Sequence, residues 1–365
     1  MKKILLFSLL LCFLASFALA DLELNGYLYN DVVGIKKRSG GGVIANLTKL
    51  RLKFDSELAP WVRLHLEPEV DHLLTTKQVT LFTAGQLDSL LLDRTYVKFY
   101  WDRTVLTAGK QRIAWGTGYI WNPTDVVSDF VPSFAISEEE RQGVEGVRIE
   151  IPWGWANKFE AFYLTDNVFL KTKKGLKART NLFEYDLSAS YIDLGEDLGH
   201  LYGIDYAGEF VGLGVRGEFA FITPVGGTDY SQYSLGANYT LDNGWGLDGE
   251  FYFNGLGAKN KNNYDWTALF AGDIKQLARE YIYFGVNKSL DELSSVRFSI
   301  IENMVDFGYI FYPSYTYNIM QDVDLSFEAL IENGTPGSEY QPTDAQDSTG
   351  FFGSNFYFMK LHYHF

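Results

Sequence analysis

The chain has 365 residues, of which 47% are hydrophobic and 16% aromatic, and this much apolar material excludes a mainly disordered protein. Its 46 acidic residues outnumber its 31 basic ones and give a net charge of −15. A chain with this charge is a poor general binder of nucleic-acid phosphates, so we expect no nucleic acid among its partners.

The first twenty residues have the pattern of a secretory signal peptide. Lys2 and Lys3 precede an apolar run over residues 4–14, and Ala18-Leu19-Ala20 ends it with small residues, as a cleavage site does. The run is shorter than the ~20 residues of a membrane-spanning helix. We therefore predict an exported protein with residues 1–20 as the signal. Cys12, the only cysteine, lies in this segment, so residues 21–365 can form neither disulfides nor cysteine-ligated metal sites.

After residue 20, apolar and polar residues alternate along most of the chain, which is the period of β-strands. Leu50, Leu52 and Phe54, for example, alternate with charged residues. We predict eighteen strands, near 22–33, 46–57, 61–71, 91–101, 104–114, 142–151, 157–165, 174–181, 184–193, 200–209, 212–222, 230–240, 244–254, 279–289, 293–304, 307–319, 322–332 and 351–365. Sixteen strands is the alternative count. The segment 174–193 could be one long strand, but a hairpin gives the even number found in single-chain bacterial barrels.

The predicted connections alternate between short turns and longer polar loops, with a brief exception at 305–306, as in outer-membrane barrels. A soluble β-protein also alternates, but its many open sheet edges would favour aggregation, and closure removes them. We therefore predict an all-β, transmembrane antiparallel β-barrel over residues 21–365, in the bacterial outer membrane with both termini on the periplasmic side. Five aromatic residues near short turns would form an interfacial girdle: Trp101, Trp153, Trp155, Tyr239 and Trp245.

The charged faces of these strands are expected to line an aqueous interior, because an outward Lys or Arg costs ~2–4 kcal/mol at the bilayer midplane. The early strands contribute basic residues, and later strands contribute acidic ones. The hypothesis is a basic wall facing an acidic wall across the pore; the alternative is that the charges pair locally. The predicted pore-lining charges are Lys49, Arg51, Lys53, Arg63, Arg94, Lys98, Lys110, Arg112, Glu218, Glu250 and Glu328.

A long loop, 115–141, is inserted after the strand 104–114, and its start is rich in aromatic residues. Trp115, Tyr119 and Trp121 are too apolar for a loop wholly in solvent. We predict that the loop folds into the barrel and narrows it, with Asp125 and Asp129 meeting Lys110, Arg112 or Arg94. The alternative is a packed extracellular cap. Aromatic faces along a pore could also stack on sugars, which makes a carbohydrate channel a further hypothesis.

The same segment resembles a motif of porin-like outer-membrane proteins, "Gly-(Lys/Arg)-Gln…Trp-Gly-x-Gly…Asn-Pro-x-Asp". The matching residues are Gly109, Lys110, Gln111, Trp115, Gly116, Gly118, Asn122, Pro123 and Asp125. This match covers some twenty residues. It implies a channel-like outer-membrane barrel and no particular substrate.

The final strand ends in the aromatic residue Phe365, and such an ending resembles the signal by which barrel-assembly machinery recognises its substrates. That machinery and outer-membrane lipid are therefore expected partners. The five histidines form no HExxH, and no Gly-x-Ser-x-Gly element occurs. We expect no enzyme activity, no cofactor and no metal site.

These observations predict a porin-like channel for passive diffusion of small hydrophilic solutes, filtered by a charged lumen and an inward-folded loop. Sugars are one candidate class of solute. The alternative is a non-conducting or plugged barrel that serves polysaccharide binding or export.

Overall fold

The structure is a computed structural model that describes residues 22–75, 88–127, 142–165, 172–195, 198–347 and 352–365. Eighteen antiparallel strands make up most of it. They are β1 (Leu22–Lys36), β2 (Gly42–Ala59), β3 (Val62–Thr75), β4 (Asp88–Trp101), β5 (Thr104–Gln111), β6 (Val144–Trp153), β7 (Asn157–Leu164), β8 (Lys173–Leu182), β9 (Tyr185–Asp193), β10 (His200–Phe210), β11 (Leu213–Thr223), β12 (Tyr230–Thr240), β13 (Gly246–Asn254), β14 (Glu280–Ser289), β15 (Ser294–Asn303), β16 (Tyr309–Met320), β17 (Val323–Asn333) and β18 (Asn355–His364).

The sheet closes on itself. Each strand pairs with its neighbours along the chain, and β1 also pairs with β18, from Tyr27 opposite His364 to Lys36 opposite Asn355. The predicted closed antiparallel barrel is confirmed, and so is the count of eighteen. The ambiguous segment is a hairpin, because β8 and β9 meet at a two-residue turn in which Phe183 and Glu184 have positive φ angles of 53° and 68°.

The connections differ between the two ends of the barrel. One end, which we call the turn end, has connections of two to five residues, such as 60–61, 102–103 and 211–212. The other end, the loop end, carries the longer ones, including 112–143, 255–279 and 334–354. The connection 255–279 contains a short helix, α1 (Trp266–Ala271). Within the described residues, no helix is long and apolar enough to cross a membrane.

Strand boundaries differ from the predicted ones mainly at the loop end. β2 begins at Gly42 rather than 46, and β3 continues to Thr75 rather than 71, so this part of the wall is taller than expected. β5 ends at Gln111 instead of 114 because the chain then leaves the sheet. Alternation alone does not show where a strand leaves its neighbour, since loop contacts decide that point.

Alternation sorts the side chains into two faces. Outward positions are largely apolar and exposed, for example Leu28, Ile204 and Phe284. Inward positions carry most of the charges, together with two buried apolar clusters near the loop end. One cluster includes Tyr252, Tyr281 and Tyr283, and the other includes Phe162, Ile192 and Leu201. Both clusters also contain residues from the connection that follows β5.

Candidate functional site: a loop across the barrel interior

The connection after β5 turns into the barrel. We call its described part, residues 112–127, the crossing loop. Two glycines make its path possible. Gly116 has a φ of 105°, which side chains rarely adopt, and a Cβ there would lie 2.6 Å from Asn122 Oδ1. A Cβ at Gly118 would collide with the carbonyl of Trp121. The Trp-Gly-x-Gly segment therefore needs both glycines for this fold.

Two carboxylates hold the crossing loop by its backbone. Glu218 on β11 accepts hydrogen bonds from the amides of Thr117, Gly118 (2.6 Å) and Thr124 (3.1 Å), and from the Thr124 hydroxyl at 2.8 Å.

Glu250 on β13 accepts the next three amides, from Tyr119 (2.6 Å), Ile120 (3.1 Å) and Trp121 (2.8 Å). Both glutamates are 3% exposed. Loop amides without sheet partners would be costly to bury, and these carboxylates satisfy six of them.

Aromatic side chains of the crossing loop pack onto the far wall. The Trp121 ring stacks on Tyr252 of β13 at 5.3 Å between centroids and lies 6.0 Å from Tyr281 of β14. The Tyr119 ring lies 5.4 Å from that of Tyr283, also on β14. In a ring of eighteen strands, β14 is nine strands from β5, which is half the circumference. The crossing loop thus reaches from one wall of the barrel to the opposite wall.

The near end of the crossing loop is fixed by Trp115. Its indole Nε1 donates to Glu160 Oε1 at 2.6 Å, and its ring lies 4.7 Å from Phe162. Trp115 is 4% exposed and Trp121 is 2% exposed. Their faces are therefore covered by protein, which argues against the hypothesis that these rings stack on sugars.

Two guanidinium groups lie over the Tyr119 ring. The Cζ atoms of Arg216 and Arg297 are each 5.2 Å from its centroid. The Nε of Arg216 is also 3.7 Å from Glu250 Oε2. Cations over an aromatic face are attracted by the ring quadrupole, so Arg216 and Arg297 add to the attachment of the loop at the far wall.

Arg51 is the centre of the charge cluster on β2–β4. It is 1% exposed, and its Nε donates to Glu69 Oε2 at 2.6 Å. Its Nη1 lies 3.3 Å from Glu67 Oε2 and 3.1 Å from Asp93 Oδ2. Arg94 joins the cluster through Glu67 Oε1 at 3.5 Å. Asp93 reaches this group because the pairing of β3 with β4 skips it, and simple alternation does not place it there.

Other predicted pore-lining residues pair along the wall in the same way. Lys49 Nζ is 3.3 Å from Glu69 Oε1, Arg63 Nη2 is 3.4 Å from Glu57 Oε2, and Glu328 Oε2 is 2.8 Å from Lys360 Nζ. Lys53 Nζ lies 5.6 Å from the Tyr27 ring centroid, and Lys98 Nζ lies 5.3 Å from that of Tyr96.

These pairs do not fit a basic wall facing an acidic wall. The early strands carry their own carboxylates, at Glu67, Glu69 and Asp93, and the later Glu218 and Glu250 bind the crossing loop. In the sequence, Glu67 and Glu69 already alternate onto the same face as Arg63 and His65, a pattern that favours an ion-pair lattice, whereas Asp93 falls outside the alternation. The alternative of local pairing describes the observed contacts.

Lys110 lies on a different face from the one predicted. Thr107 of β5 is opposite the inward Arg148, whereas Lys110 is opposite Thr95 and Glu145. The register therefore gives Lys110 an outward backbone position, but its Nζ reaches the edge of the Arg51 cluster, 3.2 Å from the Leu92 carbonyl oxygen and 3.9 Å from Asp93 Oδ1. Both faces of β5 carry small or apolar residues, so alternation did not identify the inward one.

The remaining predicted loop contacts are only partly visible. Arg112 follows the end of β5. Asp125 is buried, and its Oδ1 accepts a hydrogen bond from the Val127 amide at 3.1 Å. Asp129 lies outside the described residues, as does the rest of the loop from 128 to 141.

A cavity of about 330 Å³ lies beside the near end of the crossing loop, against β6–β10. Its lining includes Trp115, Arg148, Lys158, Glu160, Lys177 and Asp205. Lys177 Nζ is 2.8 Å from Asp205 Oδ2, and Lys158 Nζ is 3.0 Å from Glu160 Oε2. The lining is thus polar and composed of paired charges. Among the described residues, no group of three His, Cys, Asp or Glu side chains is arranged to hold a metal ion.

No protein-family profile and no curated protein sequence matches this chain. Solved structures do. A triple mutant of the Rhodopseudomonas blastica porin aligns over 94% of this chain and 100% of its own, with a TM-score of 0.52 and 12% identity. The structure of Pseudomonas aeruginosa OccK11 (OpdR) aligns over 94% and 96%, with a TM-score of 0.61 and 11% identity. At these identities the comparison shows a shared barrel fold.

Proposed function

We propose that this chain is an outer-membrane channel for passive diffusion of small hydrophilic solutes. A closed barrel with an apolar exterior and a charged interior suits a bilayer, since every strand edge is paired and water can occupy the inside. The porins that share this fold support the same conclusion. In this proposal the long loops are extracellular, the termini are periplasmic, and Phe365 belongs to the signal that the assembly machinery reads.

The position of the crossing loop is the main observation that supports this proposal. A segment held by one carboxylate on β11 and one on β13 narrows the interior at one level and leaves the charged walls in contact with water elsewhere. Solutes would pass beside the loop, and its distance from the walls would set their size limit. The cavity lined by Trp115, Lys177 and Asp205 is one such space.

The paired charges of the wall determine how strongly we expect the channel to select between cations and anions. Cations and carboxylates that neutralise each other at 3–4 Å keep water in the lumen but produce little net field across it. We therefore expect modest ion selectivity, in contrast to pores with rings of one charge. Replacing Arg51 by Glu would remove the cation that its three carboxylate neighbours share, add a further negative charge beside them, and favour cations over anions.

Two measurements test the proposal. Single-channel recording in planar bilayers would show discrete conductance steps, and liposomes containing the protein would swell in small sugars. Deleting residues 117–136 would raise the conductance if the loop is the constriction. Folded protein that gave neither current nor swelling would refute a channel. That result would favour the plugged barrel, a candidate supported by the two apolar clusters that fill part of the interior near the loop end.

A further inference from the structure

The chain contains four Asn-Gly pairs, and the fold gives them different surroundings. They begin at Asn25, Asn243, Asn254 and Asn333. In such a pair the amide nitrogen of the glycine can attack Cγ of the asparagine, because glycine has no side chain to hinder the approach. Asparagine is accordingly one of the thermolabile residues. The attack needs the nitrogen within about 3–3.5 Å of the carbon, so the structure decides which pair can react.

Three of the four glycine amides are held away from the neighbouring asparagine. Each donates to a backbone carbonyl elsewhere in the chain: Gly26 to Phe365 at 2.9 Å, Gly244 to Leu241 at 2.8 Å and Gly255 to Ser231 at 2.9 Å. Each must break that bond before its nitrogen can approach the side chain. Asn254 is in addition only 4% exposed, which limits its contact with water. These three pairs should therefore react slowly in the folded protein.

The pair at the end of β17 has a different arrangement. The amide of Gly334 donates to Asn333 Oδ1 at 2.8 Å, so its nitrogen lies beside the carbon to which that oxygen is bonded. The Nδ2 of Asn333 donates to the Tyr309 hydroxyl at 2.9 Å, and this bond holds the side-chain amide in place. Asn333 is the last residue of β17 and is exposed, so water can reach it.

We propose that Asn333 is a site of spontaneous deamidation in the folded protein. The Gly334 nitrogen loses its proton and forms a bond to Cγ of Asn333. The bond from Cγ to Nδ2 breaks, and Nδ2 leaves as ammonia with one added proton, which replaces the one lost by Gly334. One water molecule then opens the resulting succinimide ring at either of its two carbonyl carbons. The product at position 333 is aspartate or isoaspartate.

Either product changes the start of the loop 334–354. Aspartate places a negative charge next to Glu332, and isoaspartate adds one carbon to the backbone. The chain has little room at this point, because a Cβ at Gly334 would collide with Ser338 Oγ and would lie 3.2 Å from Gly308 Cα. Deamidation should therefore loosen the loop where it leaves β17.

Peptide mapping by mass spectrometry of protein stored in detergent at neutral pH tests the choice of site. Asn333 should convert roughly tenfold or more faster than each of the other three asparagines. In concentrated urea the four pairs should convert at similar rates, since only the fold distinguishes them. Equal rates in the folded protein, or a faster reaction at the exposed Asn243, would overturn the proposal.

Two variants test the role of the surroundings. Tyr309→Phe removes the hydroxyl that holds the amide and should slow conversion at Asn333 severalfold, with Asn243 as the unchanged internal control. An unaltered rate at Asn333 would refute this positioning role.

Hydrogen exchange tests the effect on the loop. Exchange in residues 334–347 should become faster during storage of the unaltered protein but not of Asn333→Gln, whose longer side chain closes a ring much more slowly. The same acceleration in both proteins would show that deamidation does not loosen the loop.

Discussion

Replacing Glu250 by Ala should detach the far end of the crossing loop. The carboxylate accepts three backbone amides, those of Tyr119, Ile120 and Trp121, at 2.6–3.1 Å. A hydrogen bond to a charged group contributes about 1.5–3 kcal/mol, so the three bonds together stabilise the attached loop by about 4.5–9 kcal/mol. The freed amides would form hydrogen bonds with water in the lumen instead. The variant should therefore lose the attachment of the loop but keep the folded barrel.

Chymotrypsin and conductance report this change independently. Trp115 and Trp121 are buried in the folded loop, so the protease should cut here only after release. We expect Glu250→Ala to be cleaved between residues 115 and 121 at least tenfold faster than the unaltered protein. Its single-channel conductance should rise, with more frequent current fluctuations as the loop moves.

Glu328→Ala is the matched control, because it also removes one lumen carboxylate. Glu328 contacts Lys360 and the Tyr312 hydroxyl rather than the crossing loop. This variant should change ion selectivity without exposing the loop to chymotrypsin. If Glu250→Ala showed the same cleavage rate and conductance as the unaltered protein, the carboxylate would not be what holds the loop across the barrel.

Three further changes probe the interior. Trp121→Ala removes a ring that stacks on Tyr252 and should destabilise the protein by about 3–5 kcal/mol. We expect a lower urea midpoint together with a higher conductance. An unchanged midpoint would contradict this packing role. Arg51→Ala removes the cation shared by the buried carboxylates Glu67, Glu69 and Asp93 and should cost about 3–5 kcal/mol, whereas Lys98→Ala should lower the urea midpoint far less. Burial raises the pKa of Glu339, in the loop 334–354, to about 7 from 4.5, so its contribution to stability is full below pH 4.5 and is lost as the pH rises through 7. Hydrogen exchange around residue 339, corrected for intrinsic rates, should therefore be faster at pH 8 than at pH 5, and Glu339→Gln should abolish the difference.

The fold could be predicted from the sequence because one rule governs most of it. Period-two alternation gives the position of every strand, and the even strand number resolved the hairpin at 183–184. Boundaries were less accurate where loops decide the length of a strand, as at the extended start of β2. Strand number and closure thus follow from local pattern, whereas strand length depends on tertiary contacts.

The site was harder to predict because its partners lie far apart along the chain. The aromatic and glycine content of 115–121 indicated an inward loop, but no local pattern shows that Glu218 and Glu250 bind its backbone. Those residues look like any other inward charge on an alternating strand. A useful signal would have been strand order, since β11 and β13 lie six and eight strands from β5 in a ring of eighteen, on the far side of the barrel. The pairing register of the strands also decides where Lys110 and Asp93 lie, and the alternation in the sequence does not show that register.

The pairing of β1 with β18 also bears on how the protein reaches this state. The amide of Phe365 donates to the Gly26 carbonyl at 3.0 Å, and the amide of Gly26 donates to the Phe365 carbonyl at 2.9 Å. Contacts between such distant parts of a sequence form slowly, since a very long segment must be closed first. Until they form, β1 and β18 both have unpaired backbone N–H and C=O groups to which other strands can bind. Barrel closure is thus the step that removes the last two unpaired strand edges of this protein.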